Sequence, residues 1–244
     1  IAEDAGLQTV NLAGITAGVG ESQPLRVTAT SSNTSLVLSP VVTYTSAEAT
    51  GWTKFTPLPN ASGNTVITIT VEDGGLDGNL ASTNDNATIS QTLTVTVTPV
   101  NDLPTLAALS LLALVDQASE QTVPLSGITA GPLESQPLRV TATSSNTSLI
   151  PQPTVTYVSA DSTGSLQFTP VSDARGNAII TVTVEDGGLD GNLETSSDNQ
   201  TSSQQFEIRV TTLPTLDSLA DLEIDEDASV QTVNLAGITA GVGE

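Results

Sequence analysis

The sequence predicts an all-β chain of tandem antiparallel β-sandwich domains, each of about seven strands, arranged end to end. Three observations predict it. A domain-length block recurs along the chain, aliphatic residues alternate with threonine at period 2, and Gly, Pro, Asn and Ser clusters separate these runs without helical periodicity.

The repeat sets the organisation. QTVNLAGITAGVGE occupies Gln8 to Glu21, returns as QTVPLSGITAGPLE from Gln121, and stands unchanged from Gln231 to Glu244. ESQPLRVTATSSNTSL is identical at Glu21 to Leu36 and Glu134 to Leu149, as is VEDGGLDGNL at Val71 to Leu80 and Val184 to Leu193. The step is 113 residues from Gln8 to Gln121 and 110 from there to Gln231. That is the length of a whole domain, well beyond solenoid units of roughly 20 to 50 residues. The expected domains are repeat 1 at 1–100, without its first strand, repeat 2 at 101–212, and the opening strands of an incomplete third repeat at 213–244. Both ends are expected to be cut points in a longer array.

Each strand follows from alternation. Val10 with Leu12, then Leu25, Val27 and Ala29, then Val42 with Tyr44 mark the first three. Ile67, Ile69 and Val71 alternate with threonines, as do Leu93, Val95 and Val97. Such strands present one aliphatic face and one wet face. The second repeat keeps the pattern with Ile180, Val182 and Val184, then Phe206, Ile208 and Val210. With aromatics at 2% of the chain, the core is expected to be aliphatic, with Phe55, Phe168, Tyr44 and Tyr157 as its large members. Trp52 has Ser165 as its counterpart and is expected at the periphery.

Composition excludes several functions. A formal charge of −22 repels nucleic acid and anionic membranes and favours cations as partners. Without Cys or His there is no disulfide, thiol nucleophile, imidazole base or ordinary zinc site. The longest apolar stretch, Leu106 to Val115, is too short to span a bilayer, so no membrane insertion is expected. Catalysis is not expected either. Glu72-Asp73 and Glu185-Asp186 are adjacent on strands and point to opposite faces, which is unsuited to a paired acid and base.

VTVTPVNDLPTL at Val95 to Leu106, the VEDGG loop and IDEDA at Ile224 to Ala228 together resemble the cadherin-like and immunoglobulin-like tandem repeats of giant bacterial surface proteins and adhesins. The resemblance covers the whole chain. It implies non-enzymatic, extracellular, cell-surface modules, many of which hold calcium near domain junctions. Two features depart from it. A DxD motif is missing from the first two repeats, and Pro99-Val100-Asn101-Asp102 has no counterpart where Val210-Thr211-Thr212 runs into Leu213-Pro214.

The acidic residues are the candidate metal ligands. Calcium takes about 6 to 8 hard oxygen ligands. Asp73, Asp77 and Asn79 in one loop, and Asp186, Asp190 and Asn192 in its copy, offer such oxygens between glycines that permit tight curvature. Glu3 and Asp4 are expected to approach Glu72 and Asp73, while Asp116 approaches Glu185, Asp186, Asn101 and Asp102. Glu226 and Asp227 are the corresponding acids of the third repeat. DGG and DGN are equally ordinary turn sequences, and solvated turns stand as the alternative.

The leading expectation is a structural spacer in an extracellular stalk, fibre or surface layer, stiffened by calcium at domain junctions. Its partners would be neighbouring repeats of the same chain and identical chains in a fibre. Glycan or ligand binding is one alternative, with Trp52 as its sole aromatic candidate. Head-to-tail assembly is another, in which Thr215 to Glu223 supplies the opening strand that repeat 1 lacks.

Overall fold

The computed structural model describes residues 1–82, 84–116 and 118–240, and these contain strands and no helix. Backbone packing divides the chain into two units, Ile1–Asn101 and Asp102–Glu244.

The first unit carries β1 (Gln8–Ala13), β2 (Leu25–Ser31), β3 (Val41–Thr43), β4 (Thr50–Phe55), β5 (Gly63–Asp73) and β6 (Thr88–Val97). They form two antiparallel sheets, ordered β1-β4-β3 and β2-β5-β6. The second unit carries β7 (Leu112–Val115), β8 (Gln121–Ser126), β9 (Leu138–Ser144), β10 (Thr154–Thr156), β11 (Thr163–Phe168), β12 (Gly176–Asp186) and β13 (Thr201–Thr211). Its sheets run β10-β11-β8 and β7-β13-β12-β9.

Alternation explains both faces of the long strands. Ile180, Val182 and Val184 on β12 are fully buried, as is Ile208 on β13. They share one core with Leu125, Leu166 and Phe168 of the other sheet. The opposite face is polar, and hydroxyls meet across the ladder at Thr183 and Ser203, 2.8 Å apart. Thr70 and Ser90 repeat this pair at 2.8 Å in the first unit.

Two details refine the expected fold. The sheets are not wholly antiparallel, because β7 pairs parallel with β13 from Leu112 opposite Ile208 to Val115 opposite Thr211. Parallel neighbours need a long connection, and here nearly the whole unit intervenes. The tyrosines also differ from the phenylalanines. Phe55 and Phe168 are buried, whereas Tyr44 and Tyr157 are half-buried over glycines of the neighbouring strand. A Cβ on Gly51 or Gly164 would stand 3.3 Å from the Tyr44 or Tyr157 ring, so each glycine makes room for a ring whose hydroxyl oxygen is itself buried. Trp52 is 43% exposed beside Lys54.

From Leu213 to Ala240 every residue is exposed, and the segment is tied together by an antiparallel bridge between Thr215 and Thr239.

Candidate acidic loop sites

The repeated VEDGGLDGN block ends β5 and β12 and turns through a loop closed by its own carboxylates. In the second unit Asp186 is fully buried, and its Oδ1 accepts the Gly188 and Gln200 N–H groups, each at 2.9 Å. In the first unit Asp73 Oδ1 accepts those of Gly75 at 3.0 Å and Ala87 at 2.8 Å. One aspartate thus pins both stems of the loop. The next aspartate closes the following turn, since Asp77 Oδ1 accepts from Asn79 N–H and Asp190 Oδ1 from Asn192 N–H, both at 2.8 Å. The asparagines do the same two residues on, to Ala81 and Glu194 at 3.0 Å. These are successive Asx turns, which give short polar side chains a backbone partner.

Asp85 and Asp198, absent from the sequence-derived candidates, complete the loop. Leu76 N–H donates to Asp85 Oδ2 at 2.7 Å, and Leu189 N–H to Asp198 Oδ2 at 2.9 Å. Their carboxylates lie over Gly75 and Gly188, which adopt φ of +58° and +60°. A Cβ on either glycine would fall 2.5 Å from the carboxylate carbon, so the glycines are required twice, for conformation and for space. The Asp-Asn dipeptide preserved at Asp85-Asn86 and Asp198-Asn199 is the signal in the sequence that marks them. Both asparagines hydrogen-bond the adjacent strand glutamate, Asn86 to Glu72 at 2.9 Å and Asn199 to Glu185 at 3.3 Å.

Strand register separates residues that the sequence reading groups together. Glu185 pairs with Thr201 at the start of β13, while Asp116 follows Val115, which pairs with Thr211 at its end. At about 3.3 Å per residue these positions are roughly 30 Å apart. Asp116 instead meets Arg175, with Nη2 to Oδ2 at 3.0 Å. The first unit repeats this separation. Glu3 N–H donates to Thr98 O beyond the end of β6, whereas Glu72 pairs with Thr88 at its start. Glu3 is buried and its Oε1 accepts the Val100 N–H at 2.8 Å, beside buried Asn101. Asp4 is exposed, as are Glu226 and Asp227, the latter two within the turn closed by Ala228 N–H on Asp225 O.

The acids that do gather in the second unit are Asp102, Asp186 and Glu134, the last also missed in the sequence. Asp102 N–H donates to both Glu134 oxygens, at 3.2 and 3.1 Å. Burial raises the Glu134 carboxyl above its usual range, and the nearby Asp102 and Asp186 charges add to this against opposing hydrogen bonds from Gln136 and Asp102. Among the described residues no group of three or more Asp, Glu, His or Cys side chains is arranged so that it could hold a metal ion.

No family model and no curated protein matches the chain. Among solved structures it is similar to domains 4 and 5 of the S-layer protein SbsC, with a TM-score of 0.32 and 16% identity over 80% of each chain. It is similar to human mucin-like protocadherin EC1-2, with a TM-score of 0.39 and 14% identity over 77% of this chain and 84% of that one. A third likeness is to the endo-fucoidan hydrolase MfFcnA4, with a TM-score of 0.30 and 17% identity over 84% of this chain and 26% of that one. Scores this low carry nothing about activity, ligand or location.

Proposed function

We propose that the chain is a run of structural spacer repeats from an extracellular stalk, fibre or surface layer. The observation that carries this reading is the placement of the repeated blocks. Each block lies at the same strand and loop position in two units that have their own cores, so the near-identical sequence is spent on repeating a scaffold. The acidic loops serve that scaffold by holding turns closed with carboxylates. In this reading calcium adds stiffness where Asp102, Glu134 and Asp186 approach one another, a crowding of like charge that a divalent cation would relieve. Side-chain rearrangement is needed first, given how the acids are disposed.

Small-angle scattering of the whole chain tests the spacer reading, and thermal unfolding with millimolar calcium or excess chelator tests the cation. An elongated particle is expected, with a melting temperature that rises with calcium because a ligand of the folded state stabilises it. A compact globular profile would overturn the spacer reading. An elongated profile with no calcium response would remove the cation from it.

A further inference from the structure

The outer face of the β1-β4-β3 sheet carries a group of side chains that the matching face of the second unit lacks. Antiparallel register sets Asn11 and Thr43 on either side of Trp52, and Thr9 and Val41 on either side of Lys54. Alternation along each strand turns all six to the side away from the core, while Val10, Leu12 and Phe55 face inward. Lys54 is half-buried and the other five are exposed, Trp52 by 43% and Val41 by 69%. Beyond Trp52 the face continues with two small residues, Ala13 opposite Thr50, so the indole stands clear of bulky neighbours on that side.

The second unit shows that the scaffold itself has no need of these side chains. Its sheet has the same strand order and the same register, with Pro124, Ser165 and Thr156 in one row and Thr122, Gln167 and Thr154 in the next. TGWTKF at Thr50–Phe55 thus becomes TGSLQF at Thr163–Phe168 on an equivalent strand, without indole or ammonium group.

Charge marks the same place. The chain has 5 basic residues, and the four arginines each meet a carboxylate: Arg26 with Glu72, Arg139 with Glu185, Arg175 with Asp116 and Arg209 with Glu207. Lys54 meets none among the described residues, and its Nζ lies 6.0 Å from the centroid of the Trp52 ring, at the limit of cation–π attraction. No acid stands on the face. The acid of that hairpin is Glu48, in the turn beyond Thr50, and about 13 Å of strand separates Thr50 from Lys54. In a chain of net charge −22, the cation without a carboxylate therefore sits beside the exposed tryptophan.

We propose that this face binds an acidic sugar ring of a polysaccharide, a uronate or a sulfated pyranose. The C–H face of the ring lies on the exposed indole, and its carboxylate or sulfate pairs with the Lys54 ammonium. Asn11 offers an amide and Thr43 a hydroxyl to the ring hydroxyls on either side of Trp52. An acidic polypeptide would answer the Lys54 charge without using the indole as a flat stacking surface. The negative charge elsewhere on the chain opposes an anionic polymer, but at physiological salt charges more than about 8 Å away are largely screened, so the local cation decides. This inference goes beyond the spacer reading and is independent of it, since one repeat of the scaffold carries a contact that its twin lacks.

Trp52 is the single tryptophan of the chain, so its fluorescence reads the face directly. The whole chain is titrated at physiological salt with polygalacturonate and with dextran sulfate, and in parallel with methyl-esterified polygalacturonate, dextran and polyglutamate. The expected result is a shift in emission with at least one acidic polysaccharide, which identifies carboxylate or sulfate as the recognised group, and none with the uncharged polymers. Affinity electrophoresis through gels holding the same polymer follows variants that lack the tryptophan. Binding should be lost in Trp52→Ser and several-fold weaker in Lys54→Gln. The second unit has Ser165 and Gln167 at these positions, so both variants should fold and melt as the wild type does. The proposal is overturned by no response to either acidic polysaccharide, by an equal response to the uncharged ones, or by binding that survives Trp52→Ser. Polyglutamate binding as tightly as the sugars would make the partner an acidic polypeptide and overturn it too. None of these results bears on particle shape, so the spacer reading stands or falls separately.

Discussion

Arg139 stands directly across the β9–β12 ladder from Glu185, with Nη2 2.8 Å from Oε2 and Nε 3.0 Å from the same oxygen. Arg26 and Glu72 repeat the pair in the first unit. There the Glu72 carboxyl is held below its usual range by Asn86 first and Arg26 second. The arginine side chains are 48% and 42% exposed, so water and salt screen both pairs. Arg139→Met is expected to lower stability only slightly, with a smaller loss in concentrated salt, as read from denaturant midpoints. A large loss that salt does not change would show that the arginine acts through packing instead.

Asp186 should matter more. It is fully buried and its Oδ1 serves two backbone N–H groups from opposite stems of the loop. Asp186→Ala leaves those donors without their acceptor, at a cost of about 1 to 3 kcal/mol for each group left unsatisfied. Asp186→Asn keeps a carbonyl oxygen in the same place and should cost less. Comparing the two by chemical denaturation, with chelator present, separates hydrogen bonding from any metal effect. Equal losses in both variants would mean that the charge, rather than the acceptor, holds the loop.

The fold was legible because its signals are local. Period-2 alternation in Ile180, Val182 and Val184 directly implies a buried face, and the repeat fixes where a domain starts again. The loop acids were legible as a chemical class, and their grouping was not. Bringing Asp116 to Glu185 required knowing which end of β13 receives β7, and that parallel pairing spans nearly a whole domain of sequence. Glu134 was hidden for a related reason. Its partner Asp102 lies 32 residues away across a packed segment, and nothing in ESQPL distinguishes Glu134 from its exposed twin Glu21.

Leu106 gives a direct measure of what the segment Leu103–Leu109, bonded to Ser126 and Thr129, contributes to the second unit. It is 6% exposed and shares the core with Leu125 and Ile128. Leu106→Ala is expected to destabilise the second unit by about 2 to 5 kcal/mol, the range for deleting a buried leucine side chain. The first unit has its own core and should be unaffected. Hydrogen exchange would resolve this, with faster exchange at Thr129 and along β12 and no change along β5. Uniform acceleration in both units would show that they unfold as one.

Glu134 should give the second unit a distinctive pH dependence. Burial is the first cause of its raised pKa, with Asp102 and Asp186 adding repulsion. A carboxyl raised in the folded state binds its proton more tightly there than in the unfolded chain. Its contribution to stability is therefore greatest at low pH and declines as pH rises from the ordinary glutamate range through the raised folded value. Glu72 works in the opposite sense, since its lowered pKa adds stability above the ordinary range that is lost as pH falls through the folded value. Glu134→Gln removes the first effect alone while retaining an oxygen to accept the Asp102 N–H. The variant should lose less stability than the wild type as pH is raised from 4.5, the ordinary glutamate value, toward neutrality. Melting curves across that range measure it, and parallel profiles for variant and wild type would show that the Glu134 charge costs nothing where it sits.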